Sequence, residues 1–109
     1  MYTIKIDYIT GNSFGTHNEK DFIGYAWNSF EKAMQAANVI TEHDKYFTAK
    51  NSFNYQRYGA IEPGVNELLE RHGEWSVPVE GDDGKIVEIH AFWRGYFERL
   101  KGVTVTESR

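Results

Sequence analysis

There is no cysteine anywhere in the 109 residues, so disulfides and thiolate metal sites are excluded, and the chain is compatible with a reducing compartment. No run approaches the ~18 consecutive apolar residues of a membrane span. The start, Met1 to Tyr8, lacks the basic stretch and apolar core of a secretory leader. The expectation is a soluble cytoplasmic protein with no membrane partner. An excess of positive charge is also missing: the formal net charge is −4, and residues 60 to 83 carry seven acidic side chains against Arg71 alone. Duplex DNA, whose binding rests on neutralising phosphates with Lys and Arg, is not an expected partner.

Catalytic and cofactor signatures are absent too. His17, His43, His72 and His90 share no metal-ligand spacing, and there is no nucleophile elbow, Walker loop or dinucleotide fingerprint. Gly81-Asp-Asp-Gly84 lacks the alternating oxygen ligands of a calcium loop and reads as a turn. Glu42-His43-Asp44 reads as a polar stripe near a helix end, its three side chains pointing to different sides. Glu88 with His90 reads as a pair on an exposed strand face. No enzyme, no metal and no cofactor is expected.

Aromatics are plentiful: seven Phe, seven Tyr and three Trp suffice for one hydrophobic core, so residues 1–109 are read as a single domain. Tyr2, Ile4, Ile6 and Tyr8 alternate against Thr3, Lys5, Asp7 and Ile9, which predicts a half-buried strand. Thr10 to Lys20 has the composition of a long loop, and Asp21 to Trp27 of a second strand forming a hairpin with the first. The period then changes. Asn28 with Glu31 resembles a cap, and a long helix follows with Phe30, Met34, Ala37 and Ile40 inward. Asn51 to Tyr58 reads as loop or irregular strand, and Val65 to His72 as a short helix ended by Gly73. Trp75 to Glu80 and Lys85 to Phe92 predict a hairpin across Gly81 to Gly84. In the stretch from Ile86 to Leu100, which continues the second of these, Val87, Ile89, Ala91 and Trp93 form one wholly apolar side. A bend at Gly95, a short turn over Phe97 to Leu100, a last strand over Val103 to Thr106 and a frayed end complete the chain. The fold class is α+β: an antiparallel sheet of about four or five strands with one long helix packed on one face.

Two features stand out as candidate sites. Thr10, Asn12, Ser13 and Phe14 lie in a Gly-containing stretch whose freed N–H groups, hydroxyls and amide suit a polar or anionic ligand. Trp93, Arg94 and Tyr96, with Arg57 and Tyr58, supply flat rings and guanidinium groups, which together stack on a base and pair with phosphate. Phe14, Trp93 and Tyr96 could equally anchor a protein partner.

At Tyr8-Ile-Thr-Gly-Asn-Ser-Phe14, Trp27-Asn-Ser-Phe-Glu31, Glu42-His43 and Ala91-Phe-Trp-Arg-Gly-Tyr-Phe-Glu98, the chain resembles a group of small accessory proteins of tailed bacteriophages. It departs from their pattern by carrying Asn12 where Asp is usual, and Asp44 where an aromatic often follows the Glu-His. The resemblance implies a protein made in the host bacterial cytoplasm that acts by binding host proteins or the nucleotide signals of antiviral defence. Two expectations follow. The first is a counter-defence protein that sequesters a small nucleotide-type signal between Trp93 or Tyr96, Arg94 or Arg57 and the Thr10 to Phe14 loop. A homo-oligomer would complete that site, because a 12.6 kDa chain offers limited concavity. The second is an inhibitor of a host defence or nucleic-acid-processing protein, acting through the acidic 62–83 surface.

Overall fold

The alternation at the N-terminus becomes strand β1 (Tyr2–Asn12), with Ile4 and Ile6 fully buried and Lys5 and Asp7 on the opposite face. It is the central strand of a three-stranded antiparallel sheet in the computed structural model of the chain, which is described for residues 1–51, 75–94 and 98–108. One neighbour is β2 (Gly15–Trp27), the other the last strand of the chain, Arg99–Glu107. The long loop expected over Thr10 to Lys20 is therefore absent. Only Ser13 and Phe14 separate the two strands, and Asn12 faces Gly15. Hydroxyl, amide and charged side chains hid the strand because both of its faces here meet water, which leaves no apolar alternation to read.

Where β2 enters the core, its register with β1 shifts: residues 23–25 lie opposite Ile4 alone, between the pairs Thr3 with Ala26 and Lys5 with Phe22. This bulge keeps the alternation of β2 intact, so that Ile23 and Trp27 are buried and Tyr25 packs against Trp27 with ring centroids 4.8 Å apart.

Helix α1 (Phe30–Asn51) begins one residue later than the Asn28 cap implies. Ser29 is the cap: its hydroxyl accepts the Lys32 N–H at 3.3 Å and its carbonyl the Ala33 N–H at 3.1 Å. The buried face is Ala33, Ala36, Ala37, Ile40 and His43, whereas Phe30 and Met34 are exposed. Ala37 and Ile40 are inward as expected, whereas the larger Phe30 and Met34 give way to Ala33 and Ala36. The small alanines let the helix approach the sheets closely, and Phe30 covers Tyr2 edge-on at the rim, centroids 5.4 Å apart.

β3 (Ser76–Glu80) and β4 (Ile86–His90) form the expected hairpin as a separate two-stranded sheet. Gly84 takes φ +78 in its turn, and at Gly81 a Cβ would stand 2.7 Å from the Tyr25 hydroxyl oxygen. The strand-like run then ends in a 3₁₀ turn, Phe92–Arg94. The chain returns as β5 (Arg99–Glu107), which is longer than the predicted Val103 to Thr106: Glu107 pairs with Tyr2, and the Ser108 N–H donates to the Met1 carbonyl at 2.7 Å. The irregular stretch expected from Asn51 to Tyr58 beyond its first residue, the short helix at Val65 to His72 and the bend at Gly95 fall outside the described residues.

The architecture is α+β, one helix against a three-stranded antiparallel sheet plus a second small sheet, five strands among the described residues. One core of Ile4, Ile6, Trp27, Ile40, Val77, Val79 and Trp93 runs under the helix through both sheets. Ile6→Ala is expected to cost about 2–5 kcal/mol, as a cavity in a fully buried site does, and a urea titration of both proteins measures it.

Candidate functional site

Trp93 and Arg94 were expected as a stacking and phosphate-binding surface, and the structure places both inside. Trp93 is 1% exposed and Arg94 5%. Both are held by one carboxylate oxygen: Asp44 Oδ1 accepts the Trp93 indole N–H at 2.9 Å and the Arg94 Nε–H at 3.1 Å. Arg94 Nη2 lies 2.9 Å from His43 Nδ1, and the guanidinium sits over the Phe47 ring, 4.4 Å from its centroid. Because guanidinium only donates, His43 Nδ1 is the acceptor and its tautomer follows. Strand alternation carries Ile89 inward, but β4 ends at His90, and the 3₁₀ turn Phe92–Arg94 then brings the adjacent Trp93 and Arg94 both into the core. Glu42-His43-Asp44 is thus more than a polar stripe, since His43 and Asp44 fasten the C-terminal half of α1 to the 3₁₀ turn. A pairing across about fifty residues leaves no local signal in the sequence.

Thr10, Asn12, Ser13 and Phe14 are elsewhere. Strand β5 accompanies β1 only as far as Ile9, opposite Arg99, while the β1–β2 ladder continues through Thr10 with His17, Gly11 with Thr16 and Asn12 with Gly15. The end of this hairpin is an arm. Its tip is about 15–20 Å beyond Tyr8 at strand rise. Gly11 is required there, because a Cβ would collide with the Gly15 carbonyl oxygen across the ladder. Asn12 Oδ1 accepts the Phe14 N–H at 2.9 Å, a side-chain turn that satisfies internally a group expected to cradle a ligand. Phe14 itself is 98% exposed. Candidates Arg57, Tyr58 and Tyr96 fall outside the described residues. The two predicted features therefore do not share a surface: Trp93 and Arg94 are buried, and Thr10 to Phe14 form the end of a projecting hairpin.

At the base of the arm, Tyr8 packs edge-on against Phe92, centroids 5.5 Å apart, and burial raises the pKa of its phenol above the ordinary 10.0. The negative charges of Asp21, Glu19 and Glu98 push it the same way. Glu19 also meets His17 along the strand at 3.1 Å. Further along β2, where its edge passes the edge of β4 without pairing to it, an open groove of about 270 Å³ lies between Phe22, Gly24 and Tyr25 on one side and Val87, Ile89 and Phe92 on the other.

Of the acidic segment, residues 62–74 fall outside the described residues, and the remaining three carboxylates are engaged within the chain. Glu80 pairs with Lys32 at 3.4 Å, Asp82 accepts the Asn28 N–H at 2.9 Å, and Asp83 accepts the Lys85 N–H at 3.0 Å. Among the described residues there is no group of three His, Asp or Glu side chains that could hold a metal, and no helix long and apolar enough to cross a membrane. Comparison of the chain with protein-family models, with curated proteins and with solved structures finds no match.

Asp44→Ala would leave the buried guanidinium and indole without their shared acceptor and is expected to cost about 3–5 kcal/mol in a denaturant titration. The Tyr8 phenol gives a second expectation. A raised folded-state pKa means that the folded protein holds this proton more tightly. The corresponding stability is present below the unfolded value near 10.0 and is lost as pH rises through the higher folded value. In an NMR titration of ring-labelled tyrosine, Tyr8 should ionise above pH 10.0, and Glu19→Gln should bring its pKa down.

Proposed function

We propose that the chain is a non-enzymatic binding protein that captures a protein partner through the β1–β2 arm. Phe14 carries this reading. A single exposed hydrophobe is ordinary on a protein surface, and Phe22, Trp75 and Ile86 are also exposed. Phe14 differs in position: it stands at the end of a fully laddered hairpin with 98% of its surface in water, free to enter a partner's pocket as aromatic anchors do. The flanking edge of β2 adds backbone donors and acceptors that an incoming strand can use. In the phage setting implied by the sequence resemblance, such an arm suits an inhibitor of a host defence or nucleic-acid-processing protein. Capture of a nucleotide-type signal has less support, because the indole and guanidinium chosen for it are 1% and 5% exposed and already bonded to Asp44.

A photo-crosslinking residue in place of Phe14, activated in living bacteria, tests the proposal. Protein adducts through position 14, reduced when the same residue is moved to Asn38 on the exposed face of α1, are the expected outcome. No protein adduct, with a small molecule of nucleotide mass released from the purified protein in native mass spectrometry, would replace this reading with the signal-sequestering one.

A further inference from the structure

All eight residues from Gly15 to Phe22 are exposed, and among the described residues β2 pairs with β1 alone. An open edge of this length is a template for another strand. We infer that its occupant is the same edge of a second copy of the chain, paired antiparallel about a two-fold axis at Asn18, with Phe14 of each copy seated in the other's β2–β4 groove. The inference rests on reading the arm as a protein-docking element, and it names the partner.

Charge narrows the register, and between His17 and Asp21 only Asn18 as centre opposes unlike charges with no like charges facing. Residues opposed across an antiparallel pair share a face, so a two-fold axis perpendicular to the sheet must pass at a residue, and each choice of residue fixes every opposition. Centring on Glu19, Lys20 or Asp21 sets that charge against its own copy, and centring on Lys20 also opposes Glu19 to Asp21. Centring on His17 faces two imidazoles and leaves Glu19 opposite Gly15. Centring on Asn18 puts Glu19 opposite His17 twice, Lys20 opposite Thr16 and Asp21 opposite Gly15, with no like charges facing.

That register also fixes where the tip arrives. Phe14 falls opposite Phe22, at the mouth of the groove, where the bulge carries the β2 backbone past β4. A cavity of about 150 Å³ accepts a benzene ring, and this groove measures about 270 Å³. Gly24 adds no side chain to obstruct it, since nothing lies within 4 Å of where its Cβ would be. Two seated Phe14 side chains bury about 300–500 Å². A specific interface needs roughly 1,200 Å² in total, so the paired strands and groove walls supply the remainder, and association should depend on concentration.

Sedimentation velocity of the full chain over a concentration series reads this directly. The wild type should move from 12.6 kDa toward twice that mass. Phe14→Ala should weaken association at least about tenfold. His17→Glu, which opposes two carboxylates in each half, should weaken it as well, and His17→Glu combined with Glu19→Lys should restore it, because only the sense of the pair is exchanged. Circular dichroism should show all variants folded, these side chains being exposed. A wild type that stays monomeric throughout, or a dimer indifferent to both Phe14→Ala and His17→Glu, would overturn the inference. Crosslinking from position 14 separates it from the broader reading. Adducts only with a different protein leave the arm a docking element and remove the second copy as its occupant. Adducts with the chain itself support the second copy as the occupant and the arm as a docking element, and remove a host protein as what Phe14 holds; no protein adduct removes both readings.

Discussion

Two sheets that share no backbone ladder have to be held in one fold, and α1 does this. Its N-terminal turn is tied to the β3–β4 turn by Lys32, whose ammonium donates to the Gly81 and Asp82 carbonyls at 3.3 and 3.1 Å. Trp27, at the end of β2, reaches across to donate its indole N–H to the Glu80 carbonyl at 2.9 Å. Later along the helix, Asp44 fastens the 3₁₀ turn that follows β4. The alanine face between these ties allows the close approach on which the shared core depends. Loosening the helix would therefore separate the sheets as well as expose it, and the β2–β4 groove exists because the helix fixes their spacing while no ladder closes it.

Much of this fold was legible in the residues. Alternation located β1, the β3–β4 hairpin and the apolar side of β4, because each has one wet and one dry face. The helix was evident from its period and part of its inward face from Ala37 and Ile40, but Phe30 and Met34 misled, because large apolar side chains dominate a hydrophobicity pattern in which Ala33 and Ala36 say little. The first half of β2 was unreadable for a simpler reason. A strand in water on both faces has no periodic signal, and His17, Asn18, Glu19 and Lys20 look like loop.

The candidate site divided in the same way. Thr10 to Phe14 stood out as Gly-containing and polar with one aromatic, and that segment is the turn of the arm, although its groups form a ladder and a side-chain turn rather than an open cradle. Trp93 and Arg94 have the chemistry of a stacking and phosphate-binding pair, yet the 3₁₀ turn after β4 buries both. The Asp44 carboxylate that neutralises Arg94 lies on another element, and only the folded chain shows it.

The arm stands apart from the energetics of the core. From Gly15 to Phe22 no side chain is buried, so replacing them removes little of the contact area that keeps the molecule folded. The stability of this short chain is thereby concentrated beneath the helix, and the arm contributes little to it. Residues 15–22 of β2 can change sequence without a compensating change beneath the helix, whereas Gly11 across the ladder cannot. Substitutions along this edge should cost the fold little, the scaffold remaining as it is.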